Sequence, residues 1–181
     1  MLVLVPAILL LLVSSTNWTA TAETELVKSV CQQTFDYAGC VEALSSDSRT
    51  NDATNLTTLV TICLDLALAN ATDIVGFVKQ MAEDPSTNPD LKSVLSDCVF
   101  GYQDTVGSFR SAGHKVRSKS EVQLRVALYE VAAAIDGPES CRLELADHNL
   151  SEPPEIFKRY GYIRLFSIIG DVLLELMLHM N

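Results

Sequence analysis

Apolar residues spaced three and four positions apart run along most of this chain, and they restrict its fold more than any other feature. Between residues 56 and 81 they are Leu59, Ile62, Cys63, Leu66, Ile74, Phe77, Val78 and Met81. At 3.6 residues per turn such a set lines one face of a helix. Pro85 and the Ser86-Thr87-Asn88 cluster end that helix, and Asn88 is placed to cap the next one with Pro89 at its first position. A second stripe follows at Leu91, Val94, Leu95, Cys98, Tyr102, Val106 and Phe109, fading near Gly113. The third starts near Ser120, where Glu121 complements the helix dipole, and carries Leu124, Ala127, Leu128, Val131 and Ala132. Gly137-Pro138 should bend or interrupt it. Beyond a loop with Pro153 and Pro154, the last stripe is Phe166, Ile168, Ile169, Val172, Leu173 and Leu176. No clear period-two strand pattern competes. Four stripes that cannot be buried singly predict one all-α domain packed as a bundle. Phe77, Tyr102, Phe109 and Phe166 fall at core spacing and read as interior packing.

Residues 2–13 form an apolar run of signal-peptide length, and Ala20-Thr21-Ala22 offers the small residues that signal peptidase prefers. The run is too short to span a bilayer as an anchor. The expectation is a signal peptide over residues 1–22 and a secreted domain over 23–181, with no membrane association after cleavage. The leader has no charged side chain, so the formal charge of −10 belongs to the mature domain. That acidity argues against nucleic acid as a ligand and suits a basic protein partner. Asn55-Leu56-Thr57, Asn70-Ala71-Thr72 and Asn149-Leu150-Ser151 are candidate glycosylation sites in a secreted chain.

Catalytic constellations are missing from the sequence. There is no Gly-x-Ser-x-Gly elbow, no phosphate-cradling glycine loop and no paired histidine spacing. His114, His148 and His179 are scattered, without a second ligand at coordinating distance along the chain. Asp65, Asp97 and Asp104 stand singly on helical faces, where solvation or capping accounts for a carboxylate better than acid–base catalysis does. Neither a metal nor another cofactor is expected.

Five cysteines in a secreted domain predict two bridges and one spare thiol. Cys31 and Cys40 are near enough in sequence to close a small loop across a helical hairpin, while Cys98 and Cys141 could clamp neighbouring helices. Spacing suggests this pairing without proving it. Cys63 sits on the core stripe, where a small thiol packs well, and is the candidate free cysteine.

The pattern resembles the plant invertase and pectin methylesterase inhibitor family over nearly the whole mature chain. Cys31-Gln-Gln-Thr-Phe-Asp-Tyr-Ala-Gly-Cys40 is similar to the family's Cys…Thr…Cys hairpin, and Leu44-Ser-Ser-Asp-Ser-Arg49 to its Leu-x-Ser-Asp-x-Arg stretch. Leu59, Asp65 and Ala67 fall in register with its first long helix. Leu91-Lys-Ser-Val-Leu-Ser-Asp-Cys98 with Tyr102 and Asp104 resembles Leu-x-x-Cys-x-x-x-Tyr-x-Asp, and Ala132-Ala-Ala-Ile-Asp136 leads to Cys141 as the family's Ala-Ala stretch leads to its fourth cysteine. The chain departs from the pattern at Phe35, where a proline is common, and at Pro138.

The resemblance implies an up-down-up-down four-helix bundle preceded by a helical hairpin, with Cys31–Cys40 and Cys98–Cys141 paired and Cys63 extra. It implies a secreted inhibitor, not an enzyme, that blocks the substrate cleft of a carbohydrate-active enzyme stoichiometrically, in the apoplast or cell wall, or in the vacuole. Motifs for the target are mixed. The Ala133-Ala134 pair resembles pectin methylesterase inhibitors, and Leu124-Arg125-Val126 stands where some invertase inhibitors carry Pro-Lys-Phe. Leu44 to Arg49 and Thr57-Thr58-Leu59 resemble invertase inhibitors equally well. The balance favours pectin methylesterase, with acid invertase as the alternative and a non-inhibitory secreted helical ligand or allergen-like protein as the further one. The expected partner-binding surface is the polar faces of the second and third long helices, with Asp97, Gln103, Asp104 and Ser108 as the candidate residues.

Overall fold

The structure, a computed structural model, describes residues 24–118 and 120–180; the expected signal peptide lies outside the described residues. Among the described residues seven α-helices follow one another: α1 (Glu25–Cys31), α2 (Tyr37–Ser45), α3 (Leu56–Glu83), α4 (Pro89–Val116), α5 (Glu121–Ala133), α6 (Asp136–Asp147) and α7 (Pro154–His179), with a 3-10 turn at Ser48–Asp52. Among the described residues there is no strand. α3 packs on α4 and α7, while α5 packs on α4 and α7 and α6 packs on α4. The result is an up-down-up-down four-helix bundle whose third member is divided into α5 and α6. The α1–α2 hairpin leans on α7. This is the architecture that the stripes and the family resemblance led us to expect.

Side-chain caps place the helix starts. Thr24, Asp36, Asn55 and Asn88 each accept a hydrogen bond from a backbone N–H in the first turn of α1, α2, α3 and α4. Gly39 lets the second of these close, because a Cβ there would stand 2.3 Å from the Asp36 carboxylate. Pro89 and Pro154 occupy the opening positions of α4 and α7, where a missing N–H costs nothing. α4 continues to Val116, one turn past its fading stripe, and α7 begins twelve residues ahead of Phe166, with buried Ile156 and Ile163 extending its apolar face.

The division of the third bundle member lies slightly ahead of the glycine–proline pair. The chain leaves α5 at Ala134-Ile135, and Gly137 and Pro138 sit in the first turn of α6. Pro138 has no N–H to give the carbonyl of Ala134, four residues earlier. Thr105 of α4 supplies the missing donor: its buried hydroxyl donates to Ala134 O at 2.8 Å. The Ser167 hydroxyl of α7 donates to Val131 O at 2.8 Å, beside the bond that carbonyl accepts from Ala134 N. One turn along, Gly101 and Gly137 touch backbone to backbone, and a Cβ on Gly137 would lie 2.0 Å from Gly101 O.

Next to this contact Cys98 is bonded to Cys141, with Cα atoms 4.9 Å apart. Cys31 and Cys40 are bonded across the hairpin, 5.5 Å apart. On a chain-entropy view the loops stabilise by roughly 4 and 3 kcal/mol. Cys63 is free and wholly buried, its Sγ 3.8 Å from Phe166 O, and burial pushes its pKa up. Arg49 links the motif residues ahead of the bundle, pairing with Asp47 at 2.7 Å and with Asp65 of α3 at 2.9 Å. Asp47 also accepts from Arg49 N, which opens the 3-10 turn. These residues therefore tether the turn to α3, and both pairs are solvent-exposed enough to be worth little individually.

Candidate functional site

α4 presents its inner surface to three neighbours and leaves its outer surface bare. Val94, Leu95, Cys98, Tyr102, Thr105, Phe109 and Ala112 are buried, so the residues on the opposite side of the helix project away from the bundle. Ser93, Ser96, Asp97, Phe100, Gln103, Asp104 and Gly107 form that outer stripe, and all are exposed. Asp104 follows Asp97 by seven residues and so lies two turns along the same edge.

Phe100 stands at the centre of the stripe and is 67% exposed. Ser96, Asp97, Gln103 and Asp104 are its neighbours at minus four, minus three, plus three and plus four, the positions that flank a side chain on a helix surface. The geometry thus groups three of the expected partner-binding residues, Asp97, Gln103 and Asp104, around one exposed aromatic ring. Ser108, four residues beyond Asp104, continues the same edge but is half-buried, and one turn further Ser111 donates to Glu130 of α5 at 3.0 Å. All four candidates lie on α4, none on α5.

Sequence reasoning passed over Phe100 because it lies two residues from both Cys98 and Tyr102, off the core stripe. That offset is itself the signal, since an aromatic residue out of phase with the apolar period faces solvent. Tyr102, in phase, is completely buried, and desolvation followed by the nearby Glu152 raises its pKa.

The surface chemistry suits recognition. An exposed ring within a polar rim is the arrangement of an interface anchor. The two aspartates add negative charge to an already acidic molecule. His114, His148 and His179 lie near the ends of α4, α6 and α7, and among the described residues no three His, Cys, Asp or Glu side chains gather as metal ligands.

The three sequons occupy different surroundings. Asn55 is exposed, and its Oδ1 caps α3 by accepting from Thr58 N at 2.9 Å. Asn149 is exposed in a left-handed turn with φ 54°. Asn70 is half-buried in the middle of α3, its Nδ2 donating to Leu66 O at 3.2 Å.

Comparison with known proteins agrees with this architecture. Residues 25–169 match the family model described as plant invertase/pectin methylesterase inhibitor. The chain is 28% identical over 148 residues to pectinesterase inhibitor 2 of Arabidopsis thaliana, covering 81% of this chain and 80% of that one. It is also 28% identical over 152 residues to cell wall / vacuolar inhibitor of fructosidase 2 of the same plant, covering 83% and 82%. The crystal structure of a mutant form of a pectin methylesterase inhibitor from Arabidopsis superposes with a TM-score of 0.69 at 21% identity, over 84% of this chain and 97% of that chain.

Proposed function

Because this chain belongs to the plant invertase/pectin methylesterase inhibitor family, a family of enzyme inhibitors rather than catalysts, we propose that it is a secreted inhibitor of pectin methylesterase acting in the cell wall. The observation that carries the reading is the bare outer face of α4, with exposed Phe100 set among Asp97, Gln103 and Asp104. Phe100 supplies apolar area that is desolvated on docking, and the polar rim supplies hydrogen bonds and orientation. Inhibition is then steric: a rigid helix lies across the mouth of the target's substrate cleft, one inhibitor to one enzyme.

Charge sets the pace of the encounter. A domain carrying −10 is drawn to a basic enzyme surface, so association is fast at low ionic strength and slows as salt screens the field. An enzyme whose groove accepts an acidic polymer offers such a surface. The Ala133-Ala134 pair supports pectin methylesterase as the target.

A second reading, inhibition of acid invertase in the cell wall or vacuole, is favoured by the Leu44 to Arg49 and Thr57-Thr58-Leu59 stretches, and by the equal identity to a fructosidase inhibitor. Parallel titration of pectin methylesterase and acid invertase with the oxidised protein separates the two. Inhibition of pectin methylesterase at one equivalent is the expected result. Inhibition of invertase alone would replace the first reading by the second, and full activity of both enzymes would overturn inhibition itself.

A further inference from the structure

A groove of about 640 Å³ runs between the α1–α2 hairpin and the first half of α7, with Asn70 of α3 on its wall. It exists because the facing positions carry little side chain: Gly39 and Ala43 on α2 and Ser46 just past its end look across to Gly161 on α7. A Cβ on Gly161 would meet nothing within 4 Å. Phe35 stands at its rim 74% exposed, with the Arg164 guanidinium 5.8 Å from the ring centre, and Tyr162 is exposed nearby. Asp36, Glu42, Lys158 and Arg164 bring charged hydrogen-bonding groups of both signs to the same walls. Exposed aromatic rings with acceptors and donors beside them suit one class of occupant well, a sugar, whose C–H face lies on a ring while its hydroxyls take the polar groups.

We propose that the occupant is this chain's own N-glycan, attached at Asn70 and folded back into the groove so that its first N-acetylglucosamine bridges the hairpin and α7. The inference rests on the reading that the chain is secreted. Asn70 is the sequon asparagine that lines the groove, so the tether has no length to span. The hydrogen bond of its Nδ2 to Leu66 O is compatible with modification. A primary amide has two N–H bonds: one stays on Leu66 O, and the other is replaced by the N–C1 bond to the sugar. In that step the donor, an oligosaccharyl pyrophosphoryl lipid of the secretory pathway, loses its lipid pyrophosphate from C1, and the displaced amide proton goes to base. Glycans at Asn55 and Asn149 would project from exposed positions at the start of α3 and in the turn after α6.

The test uses the full-length chain secreted from plant cells under its own leader. Peptide mass mapping reads occupancy at each sequon, and the undenatured protein is then treated with peptide N-glycosidase. The Asn70 glycan is expected to be present and to be released about tenfold more slowly than a denatured control, the factor given by about 1.4 kcal/mol of docking. Phe35→Ala leaves the sequon intact and should restore fast release. Thr72→Ala, which removes the sequon but keeps Asn70, should abolish the modification and raise protease cleavage within the hairpin. An unmodified Asn70 in secreted, inhibitory protein overturns this inference alone. Release as fast as the denatured control, or slow release unaffected by Phe35→Ala, also overturns it. A chain retained inside the cell and unmodified overturns it together with secretion.

Discussion

Replacing Thr105 by valine removes one hydroxyl and keeps the side chain's shape. The hydroxyl lies in the core, 1% exposed, and donates at 2.8 Å to the Ala134 carbonyl that Pro138 leaves without a helical partner. Losing a hydrogen bond and stranding a buried carbonyl costs about 1–3 kcal/mol. For a mature domain of this size each kcal/mol shifts the midpoint by roughly 2–4 °C, so a fall of about 4–8 °C is expected at the middle of that range. Urea unfolding of the oxidised protein followed by far-UV circular dichroism measures the loss; the single tryptophan, Trp18, lies in the expected leader and offers no fluorescence signal. The cause is tested by a cycle with Pro138→Ala, which supplies an N–H at the position four residues after Ala134. In that background Thr105→Val should cost clearly less. A cost below about 0.5 kcal/mol in the parent, or an equal cost in both backgrounds, would refute the account.

Other positions give sharper contrasts. Gly137→Ala forces a Cβ onto the Gly101 carbonyl and should destabilise by about 1–3 kcal/mol or more, whereas Gly107→Ala, with open space around it, should stabilise by about 0.4–1 kcal/mol; chemical denaturation reads both. Desolvation holds the Glu152 pKa above the ordinary carboxylate range in the folded protein. A raised pKa means that stability is full below the unfolded-state value and is lost as pH rises through the folded one. Glu152→Gln should therefore raise the thermal midpoint at neutral pH, with the gain vanishing in acid. Phe100→Ala should weaken inhibition of the target at least about tenfold without lowering the midpoint, and Asp104→Asn should chiefly slow association and flatten its salt dependence, both measured by surface binding kinetics. The Cys63 thiol should ignore a thiol reagent in the native protein and react once per chain after unfolding.

The four long stripes were legible because each lies on one helical face and is bounded by caps or prolines that act locally. Asn88-Pro89 needs no tertiary information to start α4. The division between α5 and α6 was legible only approximately. Gly137-Pro138 announces a break, but its position depends on Thr105 and Gly101, which lie about thirty residues away in sequence and meet it only after folding. The first turns of α7 were hidden for a different reason. Between residues 155 and 164 charged residues and aromatics interrupt the apolar period, since this stretch faces the hairpin and the α3 surface as well as the core; Arg159 pairs with Asp73 and lies 4.6 Å from the Phe77 ring centre. As for the candidate site, the four residues proposed from the sequence all fall on α4. The sequence could not show that Ser108 is half-buried or that Phe100 is exposed, because both depend on where the neighbouring helices run.

The contacts between α4 and the divided helix opposite it fall at a steady pace: Cys98 with Cys141, Gly101 with Gly137, Thr105 with Ala134, Ser111 with Glu130. One is covalent, one is a backbone touching a backbone, and two are hydrogen bonds. Together they span more than three turns, so α4 can neither slide along its axis nor roll about it. Its outer face is therefore offered in a single orientation. A partner closing on Phe100 would have no helix rotation to arrest and few conformers to discard, and the ordering that usually subtracts several kcal/mol from association would already have been met when the chain folded.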